Sequence, residues 1–224
     1  MKNAANKTSL RSAAVIAGFG LLIMAIAAPF AEMYVFPKLV VPNNAIETTN
    51  NIIANEPLFI AAIFCYLITF ICDIIVAWAL YILLMPVNEK LSLLTAWFRL
   101  IYAVIAIVAL LNLVSVYNLT AYKQNQLYDQ VISYLNCFRN YFSFALIFFS
   151  IHLLLLGYLV FKSKYIHKIF GVLLFISGLG YLLTSLKPFL LKNINLDFAL
   201  FTFFGELIFM IWLIIKGSRI QEPI

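Results

Sequence analysis

The chain has 224 residues, of which 65% are hydrophobic and 11% charged, with a mean hydropathy of +1.02, whereas soluble domains run near half apolar and a quarter charged. That balance excludes a water-soluble globular domain, whose surplus apolar side chains would expose far more than the few hundred Å² a monomer tolerates. The lipid bilayer is therefore the solvent for much of the chain. The net charge of +6 does not point to nucleic acid, because Lys and Arg sit in the short connections between apolar stretches. The longest basic run, Lys162, Lys164, His167 and Lys168, flanks a membrane segment and is not the clustered, solvated patch that phosphates require.

A polar, basic start (Lys2, Lys7, Arg11) leads into an apolar segment at 12–36. It is long enough to span, carries Pro29 where a cleavage region favours small residues, and precedes many further spans, so we read it as a retained helix and not a signal peptide. Residues 37–56, rich in Asn and Thr and punctuated by Pro42, Asn43-Asn44 and Pro57, are expected to form the first external loop with a short surface helix. Spans at 57–85 and 91–118 form a hairpin through the turn Pro86-Val87-Asn88-Glu89-Lys90. The polar segment 119–140 is expected to be the second external loop. Spans at 141–161, 169–186 and 196–215 follow, then a short polar tail.

The expected fold is all-α: a polytopic membrane protein, a single integral membrane domain built as a bundle of about six transmembrane helices. Cytoplasmic loops retain positive charge during insertion. With the N-terminus inside, Lys2, Lys7, Arg11, Lys90, Lys162, Lys164, Lys168, Lys216 and Arg219 are cytoplasmic, against Lys38, Lys123, Arg139, Lys187 and Lys192 outside. Both termini are then cytoplasmic.

Cys65, Cys72 and Cys137 make an odd count with no CxxC pair, and read as small buried hydrophobes, not a disulfide framework or zinc site. Gly171, Gly178 and Ser185 recur every seven residues, a small-residue stripe that admits a close neighbouring helix. Glu32 lies near the end of the first span and reads as hydrated.

The informative residues are the ionisable ones within apolar runs: Asp73, Arg99, His152 and Glu206. An Asp, Lys or Arg at the centre of a membrane helix costs roughly 2.5–3.5 kcal/mol on insertion scales, so such residues face the protein interior and find partners. From the rise per residue, Arg99 lies roughly 12 Å from the cytoplasmic end of its span, His152 and Glu206 roughly 14 Å, and Asp73 roughly 18 Å. One depth for four residues from four helices is the basis for a single buried cluster. Tyr66 and Thr69 share a helix face with Asp73, and Thr202 lies one turn before Glu206, placing hydroxyls beside both carboxylates. Asn112 is about 140° round its helix from Arg99 and stands apart.

Three readings are open. The cluster is a structural ion-pair network, as in a structural or partner-binding subunit; or it binds or moves a small-molecule ligand, cation or proton; or it serves an intramembrane enzyme acting on a lipid-borne substrate. No cofactor or metal is implied. A catalytic zinc wants at least two His or Cys ligands, His167 is a loop residue, and HExxH, GxSxG and Gly-rich phosphate loops are all missing from the sequence.

Six stretches, AEMYVFPKLVVP (31–42), ICDIIVAWALYILLMPVN (71–88), FRLIYA (98–103), HLLLLGYLVFKS (152–163), GVLLFISGLGYLL (171–183) and GELIFMIWLIIKG (205–217), carry a resemblance in this order. The chain resembles a bacterial family of multi-pass membrane proteins known as domain of unknown function family 4386. The resemblance implies the helix count and puts Asp73, Arg99, His152 and Glu206 at motif positions; it implies no activity, substrate or cofactor.

Overall fold

The computed structural model describes residues 9–121, 127–190 and 202–220. Among them every regular element is helical: α1 (Leu10–Pro29), a π-turn (Phe30–Val35), α2 (Phe36–Leu39), α3 (Ala45–Ala54), α4 (Glu56–Leu84), α5 (Glu89–Ala121), α6 (Tyr128–Lys162), α7 (Lys168–Leu190), α8 (Phe204–Lys216) and a terminal 3₁₀ turn (Gly217–Arg219). Five helices are long and apolar enough to cross a membrane: Leu10–Leu39, Glu56–Leu84, Glu89–Ala121, Tyr128–Lys162 and Lys168–Lys187. A crossing takes about 20 residues at 1.5 Å each. At 13 residues α8 is shorter, and 191–201, which include the start of the expected sixth span, lie outside the described residues, as do Lys2, Lys7, Lys123 and Lys192.

The first helix is continuous but not uniform. Pro29 has no N–H to close a bond four residues back, and the wider π-turn follows, with the Phe36 N–H bonding five residues back to the Ala31 carbonyl. After α2, Asn43 takes the left-handed conformation (φ 60°), which Asn tolerates better than most residues. Asn44 then caps α3: its Oδ1 accepts from the Glu47 N–H at 3.0 Å and its amide donates to Glu47 Oε2 at 2.8 Å, the reciprocal logic of a capping box.

One sequence expectation is corrected. Residues 128–140 are not loop but the first turns of α6. Val131, Leu135 and Phe138 are buried at helical spacing, while Asp129, Asn136, Arg139 and Asn140 are exposed. The polar residues that suggested a loop are one face of an amphipathic helix.

The chain falls into two compact units. One comprises Ile23–Cys72 and Ala103–Ala145, and its core is aromatic: Tyr66 packs edge-on against Phe138 (centroids 5.2 Å apart) and Phe36 (6.1 Å), and Phe138 stacks on Phe36 and Phe142 (both 5.8 Å). The Tyr66 hydroxyl donates to the Glu32 carboxylate, so Glu32 is held by a protein partner as well as being exposed.

The other unit comprises Met1–Leu22, Asp73–Tyr102 and Leu146–Ile224, and its helices touch at small residues. A Cβ on Gly157 would lie 2.7 Å from the Gly171 carbonyl, one on Gly171 would lie 2.6 Å from the Phe161 nitrogen, and one on Gly178 would lie 3.0 Å from the Ser150 carbonyl. The stripe on α7 therefore sets its contact with α6. Gly18 similarly lets α1 meet Ile214 of α8, and Arg11 Nε donates to the Ile220 carbonyl at 2.9 Å. Between α6 and α7, Ser163 Oγ accepts from the Ile166 N–H at 3.0 Å, and the Tyr165 hydroxyl reaches the Leu83 carbonyl at 2.5 Å.

Gly171→Leu is expected to cost about 1–3 kcal/mol by overpacking a backbone contact, with a clear fall in melting temperature in detergent; an unchanged melt would mean that α6 and α7 do not meet there. Burial pushes the Tyr165 phenol up to about 12 from its usual 10. Ionisation is thus harder in the folded than the unfolded chain, so this contribution is full below pH 10 and is lost as pH rises from about 10 to 12. Tyr165→Phe is expected to remove that alkaline slope and about 1 kcal/mol of stability, read from melts across that window.

Candidate functional site

Asp73 on α4, Arg99 on α5, His152 on α6 and Glu206 on α8 lie in one unit, and the structure brings all four together. Arg99 is the centre. Its Nη2 is 2.7 Å from Asp73 Oδ1 and its Nε donates to the same oxygen at 2.9 Å. Its Nη1 lies 3.1 Å from His152 Nε2 and 3.9 Å from Glu206 Oε1. Phe149 of α6 lies under the guanidinium at 5.3 Å, a cation–π distance.

The three inner residues are fully buried, each 0% exposed; the Glu206 side chain keeps 17% of its surface. Burial requires that each charge have a partner, since an ion in low dielectric is strongly destabilised. Arg99 and Asp73 meet that requirement mutually. Yet the guanidinium uses two nitrogens on one oxygen, not the parallel fork of a bidentate pair. Asp73 Oδ2 is left buried with no hydrogen-bond partner among the described residues, a deficit worth about 1–3 kcal/mol.

The proton on His152 is assigned by its neighbours. Nδ1 lies 2.8 Å from the Thr95 carbonyl, which can only accept, so Nδ1 carries the hydrogen. Arg99 Nη1 can only donate, so Nε2 offers a lone pair. His152 is therefore a neutral imidazole with both nitrogens engaged, and it fixes the guanidinium to the backbone of its own helix, α5. Thr95 is placed for this by its hydroxyl, which bonds the Leu91 carbonyl at 2.7 Å.

Two of the three hydroxyls expected beside the carboxylates are engaged elsewhere. Thr69 donates to the Cys65 carbonyl one turn back at 2.8 Å, as Thr does on an apolar helix, and Tyr66 donates to Glu32. The Thr202 carbonyl accepts from Ser177 Oγ at 2.5 Å. Asn112 bonds the Ala109 carbonyl of its own helix at 3.0 Å.

Sequence reasoning missed Thr95, Phe149, Tyr102 and Tyr181. The Phe149 ring packs on His152 (5.9 Å), Tyr102 (4.8 Å) and Tyr181 (5.3 Å), so it forms an aromatic floor for the cluster. Tyr102 is three residues after Arg99 and Phe149 three before His152, a spacing that puts each on the same helix face as its charged neighbour. That signal was available. The role of the Thr95 carbonyl was not, because a main-chain acceptor leaves no mark on residue type.

An uncharacterized protein of Archaeoglobus fulgidus is 38% identical over 154 residues, covering 69% of this chain and 82% of its own length. No solved structure matches the chain. The family described as Domain of unknown function (DUF4386) matches residues 16–217, a stretch that contains all eight helices except the first turns of α1. The chain is a multi-pass membrane protein that belongs to the Domain of unknown function (DUF4386) family.

Proposed function

We infer that the protein crosses the cytoplasmic membrane six times as a single integral membrane domain with both termini inside, and binds or moves a small ligand or proton at the cluster around Arg99. The sixth crossing rests on the sequence of 196–215, largely apolar with Asp197 and Glu206 as its charged residues. The orientation rests on the excess of Lys and Arg in the N-terminal segment, the 86–90 and 162–168 turns and the C-terminal tail. Retention of the first helix is supported by its packing on α8 through Gly18 and Ile214.

The observation that carries the binding reading is the uneven satisfaction of the two carboxylates. Asp73 gives one oxygen to Arg99, and the other has no hydrogen-bond partner among the described residues. Glu206 stands 3.9 Å away, beyond hydrogen-bond reach, and partly open. A network serving only to fix helix register would gain by closing both contacts. The enzyme reading needs His152 as a base or metal ligand; with its two nitrogens held by Thr95 and Arg99, it is a positioning residue instead.

The test is thermal unfolding in detergent of wild type and Asp73→Asn, Arg99→Gln, His152→Ala and Glu206→Gln. Arg99→Gln and Asp73→Asn are expected to lose roughly 3–5 kcal/mol, since each strands a buried charge. Glu206→Gln is expected to melt at or above the wild-type temperature, as residues kept for binding do. A Glu206→Gln loss as large as that of Arg99→Gln would make the cluster a closed structural network.

A further inference from the structure

The charge of the occupant follows from the residues that surround it, given that the cluster is a binding site. Arg99 contributes one positive charge, Asp73 and Glu206 one negative charge each when ionised, and His152 none, because its hydrogen bonds fix it as neutral. Arg99 and Asp73 cancel in direct contact at 2.7 Å. The remaining negative charge falls on Glu206, beside the phenols of Tyr102 and Tyr181, which lie within its electrostatic range. An unbalanced carboxylate among buried aromatic side chains is disfavoured, so the site gains by holding one positive charge.

The groups around Glu206 narrow the choice. Arg99 of α5 is in contact with it, Asp73 of α4, Tyr102 of α5 and Tyr181 of α7 lie within electrostatic range, and His152 of α6 shares Arg99 Nη1 with it. The described part of α1, which meets α8 at Gly18 and Ile214, has Arg11 as its ionisable residue, and that side chain is bound to the Ile220 carbonyl. A hard metal cation takes six or more oxygen ligands, and here it would also face a guanidinium nitrogen 3.9 Å from Oε1. A proton needs one carboxylate oxygen and no coordination shell. The residual exposure of Glu206, 17%, gives it contact with the surroundings that the fully buried Asp73 lacks.

We propose that Glu206 is a proton-binding site, its carboxylate taking a proton from water to become a neutral acid and returning it, with the Arg99–Asp73 pair as the fixed charge beside it. When Glu206 gives up the proton, its carboxylate attracts the second N–H of Arg99 Nη1, the nitrogen that also lies 3.1 Å from His152 Nε2. Proton release is thereby coupled to the guanidinium that joins α4, α5 and α6.

Infrared difference spectroscopy of the full chain in lipid nanodiscs across a pH titration tests this, reading the C=O stretch of a protonated carboxyl. The expected result is one band that disappears reversibly as pH rises, shifts when the protein is labelled with ¹³C-glutamate, and is absent from Glu206→Gln. The proposal is overturned by a band insensitive to the glutamate label or to Glu206→Gln, or by no such band at any pH. It is also overturned if sodium chloride, compared with choline chloride at fixed pH, removes the band, since the carboxylate would then hold a metal cation. That last result leaves the cluster a binding site, whereas failure of the binding reading itself appears separately, as Glu206→Gln unfolding like Arg99→Gln.

Discussion

A fully buried guanidinium on an apolar helix is the constraint on which this unit depends. A guanidinium is a permanent charge, and Arg99 places one in the first third of a 33-residue helix with no surface of its own exposed. Everything within reach is arranged around that fact. Asp73 supplies the opposing charge from α4, His152 a neutral acceptor from α6, and Phe149 the face of an aromatic ring. His152 is in turn oriented by a main-chain carbonyl of α5. Three helices are thereby tied at one point by interactions with strict donor and acceptor roles, which apolar packing alone does not impose.

Away from that point the helices manage polarity locally. Thr69, Thr120, Thr184, Ser115, Ser150 and Ser185 each donate to a carbonyl three or four residues back. In a bilayer no water is available to satisfy such groups, and the own-helix carbonyl is the cheapest partner. These hydroxyls are therefore compatible with lipid and carry no special meaning, which is why Thr69 does not join Asp73. Close helix contact is left to glycine: the pair Gly157 and Gly171 brings two backbones to a distance that any Cβ would prevent. Tight packing and the hydrogen bond to Arg99 thus lie on different residues of α6, at Gly157 and His152.

Much of this was legible in the sequence because a membrane imposes simple rules. Long apolar runs gave the five long helices, and the ionisable residues within them stood out as exceptions with a shared depth. The limits were equally physical. Residues 128–140 read as loop because composition was weighed over face; the buried Val131, Leu135 and Phe138 stripe shows that the helix starts earlier. Depth does not say which atoms meet, so the single-oxygen contact of Arg99 on Asp73 and the open position of Glu206 needed coordinates. The Glu32 and Tyr66 pair was hidden for another reason. The π-turn after Pro29 shifts the helical register, and a 3.6-residue period no longer reports which way Glu32 points.

The two carboxylates differ in these contacts: Asp73 touches Arg99 at 2.7 Å, and Glu206 stands at 3.9 Å. That division requires Arg99 and Asp73 to be energetically one unit. The most direct measurement is a double-mutant cycle on this pair, comparing the unfolding of Asp73→Asn, Arg99→Gln and the double variant in the same detergent. If the two charges exist to compensate each other, the double variant is more stable than either single variant, because no buried charge is left alone. Losses that simply add would contradict the account and leave Arg99 balanced by something other than Asp73.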